Sequence, residues 1–139
     1  MPVFETLENH DHIAFDLDEC LLGGDRMATL RHFIAKYAEE KTFSIITCRP
    51  AQYEEESIKE IDACLRMVEL DHTVFTHIIH SPDKDICGYD VNPHFKGDAA
   101  KKIGATILVD DDIEHQAGCD LNDIAFFHVP FTPIRYGYM

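Results

Sequence analysis

The sequence lacks apolar runs long enough to cross a bilayer, and it is poor in basic residues. Its longer apolar stretches, such as residues 103–109, are far too short for a membrane span. The N-terminus has no basic region followed by an apolar run, so we expect neither an export signal nor a membrane anchor. Only 12 Lys and Arg residues stand against 26 Asp and Glu residues, giving a net charge of -14. This charge repels anionic membranes and disfavours long nucleic acid as a partner.

Cysteine pairs and flexible linkers are also missing from the sequence. The five cysteines form an odd, widely spaced set, which argues against a disulfide framework and a zinc knuckle and favours a cytoplasmic location. No repeat or Pro/Gly/Ser-rich linker divides the 139 residues, of which 45% are hydrophobic. We therefore expect one domain that spans residues 1–139.

What the sequence does contain is a regular alternation of short apolar runs with helical segments. The apolar runs predict five buried strands, at residues 12–17, 43–47, 74–80, 106–109 and 124–129. Helical spacing predicts helices at residues 27–40, 51–70, 96–103 and 113–119. The pattern predicts an α/β fold: a single Rossmann-like domain with a five-stranded, mainly parallel sheet flanked by helices on both faces. Ligands collect at the carboxyl ends of the strands in such sheets.

Two carboxylates follow the first predicted strand, in the segment Phe15-Asp16-Leu17-Asp18. Side chains alternate across a strand, so Asp16 and Asp18 are expected to leave it on the same side and to share one small space. Such a pair is unfavourable unless a cation, a shared proton or acid/base chemistry compensates. The alternative is a solvated acidic turn, because acidic residues are common in turns.

The second predicted strand delivers a hydroxyl group at its end, from Thr47. This hydroxyl could donate to a phosphoryl oxygen or serve only as a helix cap before Pro50, which suits a first helical turn. Arg49 is a candidate for binding the anionic part of a substrate. An ion pair between Arg49 and Glu54 or Glu55 is an equal alternative.

The fourth predicted strand runs into three consecutive carboxylates, Asp110, Asp111 and Asp112. Such a cluster is costly without a cation, and a hard divalent metal is its natural partner. Lys96 lies one short helix upstream, and an ammonium group near the cluster could stabilise the charge of a phosphoryl group.

Taken together, these residues resemble the four motifs of the haloacid dehalogenase-like (HAD) hydrolase superfamily. The resemblance extends over residues 13–115, and its strongest parts are FDLDECLL and FKGDAAKKIGATILVDDD. It implies a small phosphatase or nucleotidase. Neither residues 21–26 nor residues 81–95 have room for the cap domain that larger members carry, so the resemblance implies an open site, unless oligomerisation supplies a wall.

The resemblance also implies a role for each residue of these motifs. Asp16 would be the nucleophile that forms an aspartyl phosphate, and Asp18 would act as general acid and base. Thr47 would bind a phosphoryl oxygen, together with Arg49 as a substrate contact. Lys96 would neutralise charge around Asp16 and the phosphoryl group.

A magnesium ion completes the site that the resemblance implies. The Asp16 carboxylate, the Asp18 backbone carbonyl and Asp111 would hold Mg²⁺, with Asp110 beside them. The expected substrate is a small phosphorylated metabolite, such as a nucleotide or a sugar phosphate. Two alternatives stay open: a phosphatase acting on a phosphoprotein or a nucleic-acid end, and an inactive HAD-fold module that binds phosphate or metal.

Overall fold

The strands form one parallel sheet in a computed structural model that describes residues 2–82 and 92–129, with side chains described from residue 5 onward. The strands are β1 (His12–Phe15), β2 (Thr42–Pro50), β3 (Phe75–Ser81), β4 (Ile107–Asp110) and β5 (Ala125–His128). Their order across the sheet is β3-β2-β1-β4-β5, and every neighbouring pair is parallel. The predicted five-stranded α/β fold is therefore confirmed.

The helices within the described residues cover both faces of this sheet. They are α1 (Pro2–Glu8), α2 (Met27–Tyr37), α3 (Glu54–Leu65), α4 (Phe95–Ile103) and α5 (Gln116–Leu121). Side chains of α1, α2 and α3 pack with alternate strand residues such as Phe15 and Phe43. Ala100 of α4 and Cys119 of α5 pack on the opposite face, against the intervening residues Ala14 and Leu108. This division follows from the period of two along each strand.

The strand order creates a switch point between β1 and β4. The chain first winds outward from β1 through β2 to β3, and it then returns through α4 to place β4 on the other side of β1. Connections leaving the two central strands diverge at such a point and open a crevice at their carboxyl ends. Phe15 pairs with Val109, and the Asp16 amide donates to the Val109 carbonyl at 2.8 Å. Asp16 and Asp110 are thereby fixed side by side at this crevice.

Several predicted element boundaries were wrong. The second strand continues beyond Thr47 to Pro50, so Thr47 lies inside β2 and not at its end. Helix α3 begins at Glu54, after a short 3₁₀ turn, and ends at Leu65 rather than at residue 70. A left-handed residue, Glu69 at φ 60°, closes this region.

The cap-domain prediction concerned two connecting segments. Residues 21–26 form a short connection between β1 and α2, as expected. Most of the other segment, residues 83–91, lies outside the described part of the chain. Among the helices of residues 2–82 and 92–129, none combines the length and the apolar composition needed to cross a membrane.

Candidate functional site

The crevice between β1 and β4 contains a buried ion-pair network centred on Lys96. The Lys96 ammonium donates to Asp16 Oδ1 at 2.6 Å and to Asp110 Oδ2 at 2.7 Å. The Lys96 side chain is 2% exposed, and those of Asp16 and Asp110 are 8% and 0% exposed. Lys96 is the second residue of α4, so the helix start places its side chain over the two strand ends. The structure thus brings Lys96 together with the acidic residues at the ends of β1 and β4, as the sequence predicted.

Asp111 adds a third carboxylate to this network. One carboxylate oxygen from each of Asp16, Asp110 and Asp111 lies within 4.8 Å of the others, an arrangement that could hold a metal ion. All the donors are hard carboxylate oxygens, which fit Mg²⁺ or Ca²⁺ better than softer metals. Within the described residues, the ammonium group that contacts the acidic cluster, as we call these three residues, is that of Lys96.

The protonation of the network reflects burial and crowding of like charges. Burial, together with the adjoining Asp16 and Asp110 carboxyl groups, raises the pKa of Asp111 to about 8. Burial likewise raises the pKa of Asp16, although Lys96 opposes this. For Lys96, burial alone would lower the pKa, but the carboxylates of Asp16 and Asp110 outweigh burial and raise it. At neutral pH and without a metal, the acidic cluster therefore retains one proton, which Asp111 shares with the adjoining carboxyl groups.

The hydrogen bonds of Asp110 distinguish it from the other two carboxylates. Its Oδ1 atom accepts the backbone N–H of Asp112 at 2.9 Å, and its Oδ2 atom accepts from Lys96. Both oxygens are thus already engaged, whereas Asp111 is only partly buried. This geometry favours Asp16 and Asp111 as direct metal ligands and Asp110 as the residue that positions Lys96.

Asp18 does not join the acidic cluster. Its carboxylate is 53% exposed and pairs with Arg49, which donates Nε at 2.9 Å and Nη2 at 2.7 Å. Because β1 ends at Phe15, strand alternation no longer fixes the direction of Asp18, and the prediction that Asp16 and Asp18 share one space was wrong. A metal contact through the Asp18 backbone carbonyl stays a prediction.

Arg49 is paired differently from the sequence-based alternative. Its second carboxylate partner is Glu60, with Nη1 donating at 2.7 Å, and neither Glu54 nor Glu55 takes this place. Thr47 is buried, and its Oγ1 accepts the Arg49 backbone N–H at 3.1 Å. The Thr47 hydroxyl therefore stabilises the local turn of β2, and its contact with a phosphoryl oxygen stays a prediction.

His80 is linked to Arg49 through the hydroxyl group of Ser57. Ser57 donates its hydroxyl to the Tyr53 carbonyl at 3.1 Å and accepts from Arg49 Nη1 at 3.2 Å. His80 Nε2 lies 2.9 Å from the same Ser57 oxygen and, with the serine proton already used, acts there as the donor. His80 also lines a cavity of about 630 Å³ between β3 and α4.

Sequence reasoning missed His115, which lies beside the network. This side chain is 3% exposed, and within the described residues its Nδ1 atom has no hydrogen-bond partner. Burial and the nearby Lys96 ammonium lower its pKa to about 4. The sequence offered no signal for this residue beyond its position four residues after Asp111.

The cysteines partly depart from expectation. Cys20, Cys64 and Cys119 are free thiols. Cys48, however, is disulfide-bonded, which the sequence-based reading did not predict. Its sulfur lies 4.0 Å from His115 Nε2.

Comparison with known proteins finds a likeness at the level of fold. No protein-family model and no curated protein sequence matches the chain. A solved structure of a protein from the universal stress protein family of Burkholderia pseudomallei is similar, with a TM-score of 0.52 and 11% sequence identity. The likeness covers 86% of this chain and 96% of that one. At this identity it shows a common fold and transfers no activity.

This finding corrects the predicted identity. The similar structure belongs to a different Rossmann-like family, and none of these comparisons supports membership of the HAD superfamily. The prediction of a HAD-type phosphatase or nucleotidase was therefore wrong, as was the prediction of an enzyme working through an aspartyl phosphate. The catalytic roles given to Asp16, Asp18, Thr47 and Lys96 depended on that activity and fall with it.

Proposed function

We propose that this chain is a ligand-binding domain that holds Mg²⁺ in the acidic cluster and, through the metal, binds a small phosphorylated ligand. The observation that carries the proposal is the placement of three carboxylates, with ligand oxygens within 4.8 Å of one another, at the switch point of a parallel sheet. Ligands of open α/β sheets bind at this position.

The charge balance of the cluster supports a divalent cation. Asp16, Asp110 and Asp111 carry three negative charges when ionised, and Lys96 supplies one positive charge. Two ionised carboxylates whose oxygens lie within 4.8 Å of each other repel by about 3.5 kcal/mol or more at an effective dielectric constant of about 20. Burial and this repulsion together raise the pKa of Asp111 to about 8, which favours a proton on the cluster when no metal is bound. A divalent cation would take the place of that proton and remove the remaining excess charge.

The same charge balance links the metal to a phosphorylated ligand. A chain with a net charge of -14 repels anions at long range, so an anionic ligand needs a local positive centre. Mg²⁺ prefers six oxygen ligands and usually keeps several waters, which phosphate oxygens can replace. A small ligand is favoured over a long polyanion because it meets this local centre and little of the surrounding negative charge.

Isothermal titration of the metal-free protein with MgCl₂ tests the proposal. We expect saturable binding by the wild type and at least about a tenfold weaker affinity for Asp111→Asn, which removes a direct ligand. Asp120→Asn is the matched control, since Asp120 is an exposed aspartate on α5 and the variant should bind as the wild type does.

Inorganic phosphate provides the second arm of the experiment. Phosphate should bind in the presence of MgCl₂ and bind much more weakly, or not at all, after chelation. Absence of any Mg²⁺ binding by the wild type at millimolar concentrations would contradict the proposed function, as would equal Mg²⁺ affinities for Asp111→Asn and Asp120→Asn.

A further inference from the structure

Arg49 holds a guanidinium group in which every N–H donor is occupied. Nε and Nη2 donate to the two oxygens of Asp18, at 2.9 and 2.7 Å. Nη1 donates to Glu60 at 2.7 Å and to Ser57 at 3.2 Å, and Nη2 also reaches Glu60 at 3.3 Å. A guanidinium group has five N–H bonds, and all five are used by these contacts. An anion can therefore reach Arg49 only if one of the two carboxylates leaves.

Asp18 is the partner placed for such an exchange. It binds the guanidinium in the side-on, two-bond geometry that a phosphate group can adopt equally well. Asp18 follows Asp16 by two residues, which keeps their Cα atoms within about 7 Å of each other, so the ion pair with Arg49 lies near the acidic cluster. Glu60, by contrast, belongs to the regular helix α3.

The backbone around Asp18 is a tight loop rather than a regular element. Glu19 adopts a left-handed conformation with φ 60°, and its amide donates to the Leu22 carbonyl at 2.8 Å. The Asp18 side chain is 53% exposed, against 19% for Arg49. Release of the Asp18 carboxylate into water therefore needs only a side-chain rotation, whereas the Arg49 side chain stays largely enclosed.

We propose that Arg49 is the anion-recognition residue of the site, and that the Asp18 carboxylate occupies its fork as an internal competitor until the phosphate of a ligand displaces it. This inference rests on the proposed function, because it concerns the phosphorylated ligand that the metal holds. Competition from the Asp18 carboxylate lowers the apparent affinity of Arg49 for every external anion. Anions that bind weakly therefore do not occupy the site.

Phosphate affinities of a small set of variants test the exchange. Inorganic phosphate is titrated with and without MgCl₂ into the wild type, Asp18→Asn, Arg49→Gln and the double variant. Removing the internal competitor in Asp18→Asn should strengthen phosphate binding about threefold to tenfold, the range expected for a partly exposed two-bond ion pair. In the Arg49→Gln background, Asp18→Asn should cause no gain.

Glu19→Gln is the matched control for loss of one negative charge. Glu19 is exposed, adjoins Asp18 and is not among the residues that accept hydrogen bonds from Arg49. This variant should change the phosphate affinity by less than about twofold. An equal gain from Glu19→Gln and Asp18→Asn would overturn the inference, because a general charge effect would then explain both.

Two further outcomes would also overturn it: phosphate binding by Asp18→Asn no tighter than by the wild type, and a gain that persists without Arg49. Titrating Mg²⁺ alone into the wild type separates this inference from the proposed function. If Mg²⁺ binds but Asp18→Asn brings no gain, only the role of Arg49 is wrong. If Mg²⁺ fails to bind, the proposed function is wrong, and the inference about Arg49, which rests on it, is overturned with it.

Discussion

Replacing His115 with glutamine should remove a pH-dependent penalty from the stability of the fold. The imidazole is 3% exposed, and its Nδ1 atom finds no hydrogen-bond partner within the described residues. Burial and the Lys96 ammonium lower its pKa from 6.5 to about 4, so the folded protein keeps it neutral. In the unfolded chain, the same side chain takes up a proton near its ordinary pKa of about 6.5.

The sign and size of the effect follow from these two values. As the pH falls below 6.5, the unfolded state gains a proton that the folded state refuses until about pH 4, so the free energy of unfolding decreases. The full difference of about 2.5 pKa units corresponds to about 3 kcal/mol, of which about 2.5 kcal/mol is lost by pH 4.5. Above pH 6.5, neutral His115 contributes no such penalty.

The pH dependence of the wild type's unfolding free energy does not reveal the His115 effect by itself, because Asp111 also titrates. Its pKa of about 8 lies above the ordinary value, so the folded state binds the extra proton and the free energy of unfolding decreases as the pH rises toward 8. This trend opposes that of His115 between pH 4.5 and 6.5. The difference between wild type and variant cancels the Asp111 contribution and isolates that of His115.

Urea unfolding followed by circular dichroism at pH 7.5, 6.5, 5.5 and 4.5 measures this difference. Relative to the wild type, His115→Gln should gain about 2.5 kcal/mol between pH 7.5 and pH 4.5. His32→Gln, which changes an exposed histidine of α2, should show no comparable gain. Parallel profiles for the wild type and His115→Gln would refute the claim that His115 is buried neutral beside Lys96.

Two further predictions concern helix α4. Lys96→Met should lower the free energy of unfolding at pH 7.5 by about 3 kcal/mol or more, because it leaves buried carboxylates without their ammonium partner. The exposed Lys101→Met should change it by less than about 0.5 kcal/mol, and equal effects would contradict the burial of Lys96. Gly97→Ala should cost about 2 kcal/mol despite alanine's helix propensity, since its Cβ atom would lie 2.2 Å from the Gly118 carbonyl carbon. Thermal unfolding without a loss of stability would show that α4 and α5 can separate freely.

The sheet was predictable because buried parallel strands appear in a sequence as short, continuous apolar runs. The first and last residues of the strands and helices were harder to predict, because the ends of these elements depend on tertiary contacts. Pro50 looked like a helix start, yet it pairs with Ser81 as the last residue of β2. Helix α1 was missed altogether, because seven residues are too few to show a helical period, and its buried anchor is Leu7.

The candidate site likewise has contacts that the sequence predicted and contacts that it did not. The approach of Asp16, Asp110 and Lys96 was predictable because parallel strands end at one edge of the sheet, and α4 begins at that edge. The Asp18–Arg49 pair was not, because β1 ends at Phe15 and strand alternation no longer fixes the direction of Asp18. The family assignment failed for a related reason: polar residues at successive strand ends reflect the fold's ligand-binding edge, which unrelated Rossmann-like families have in common.

The buried network itself argues for a ligand rather than for stability alone. A buried ion pair contributes little net stability, and apolar residues of similar volume would often stabilise a fold as well or better. Across residues 2–82 and 92–129, the Lys96 ammonium group is the cation that faces these three carboxylates, and the cluster carries more negative charge than Lys96 can balance. The third carboxylate, Asp111, forms no ion pair with Lys96 and instead holds a proton at neutral pH. Its presence is costly for the isolated chain and becomes favourable only when a cation replaces that proton, which is the condition that Mg²⁺ binding would create.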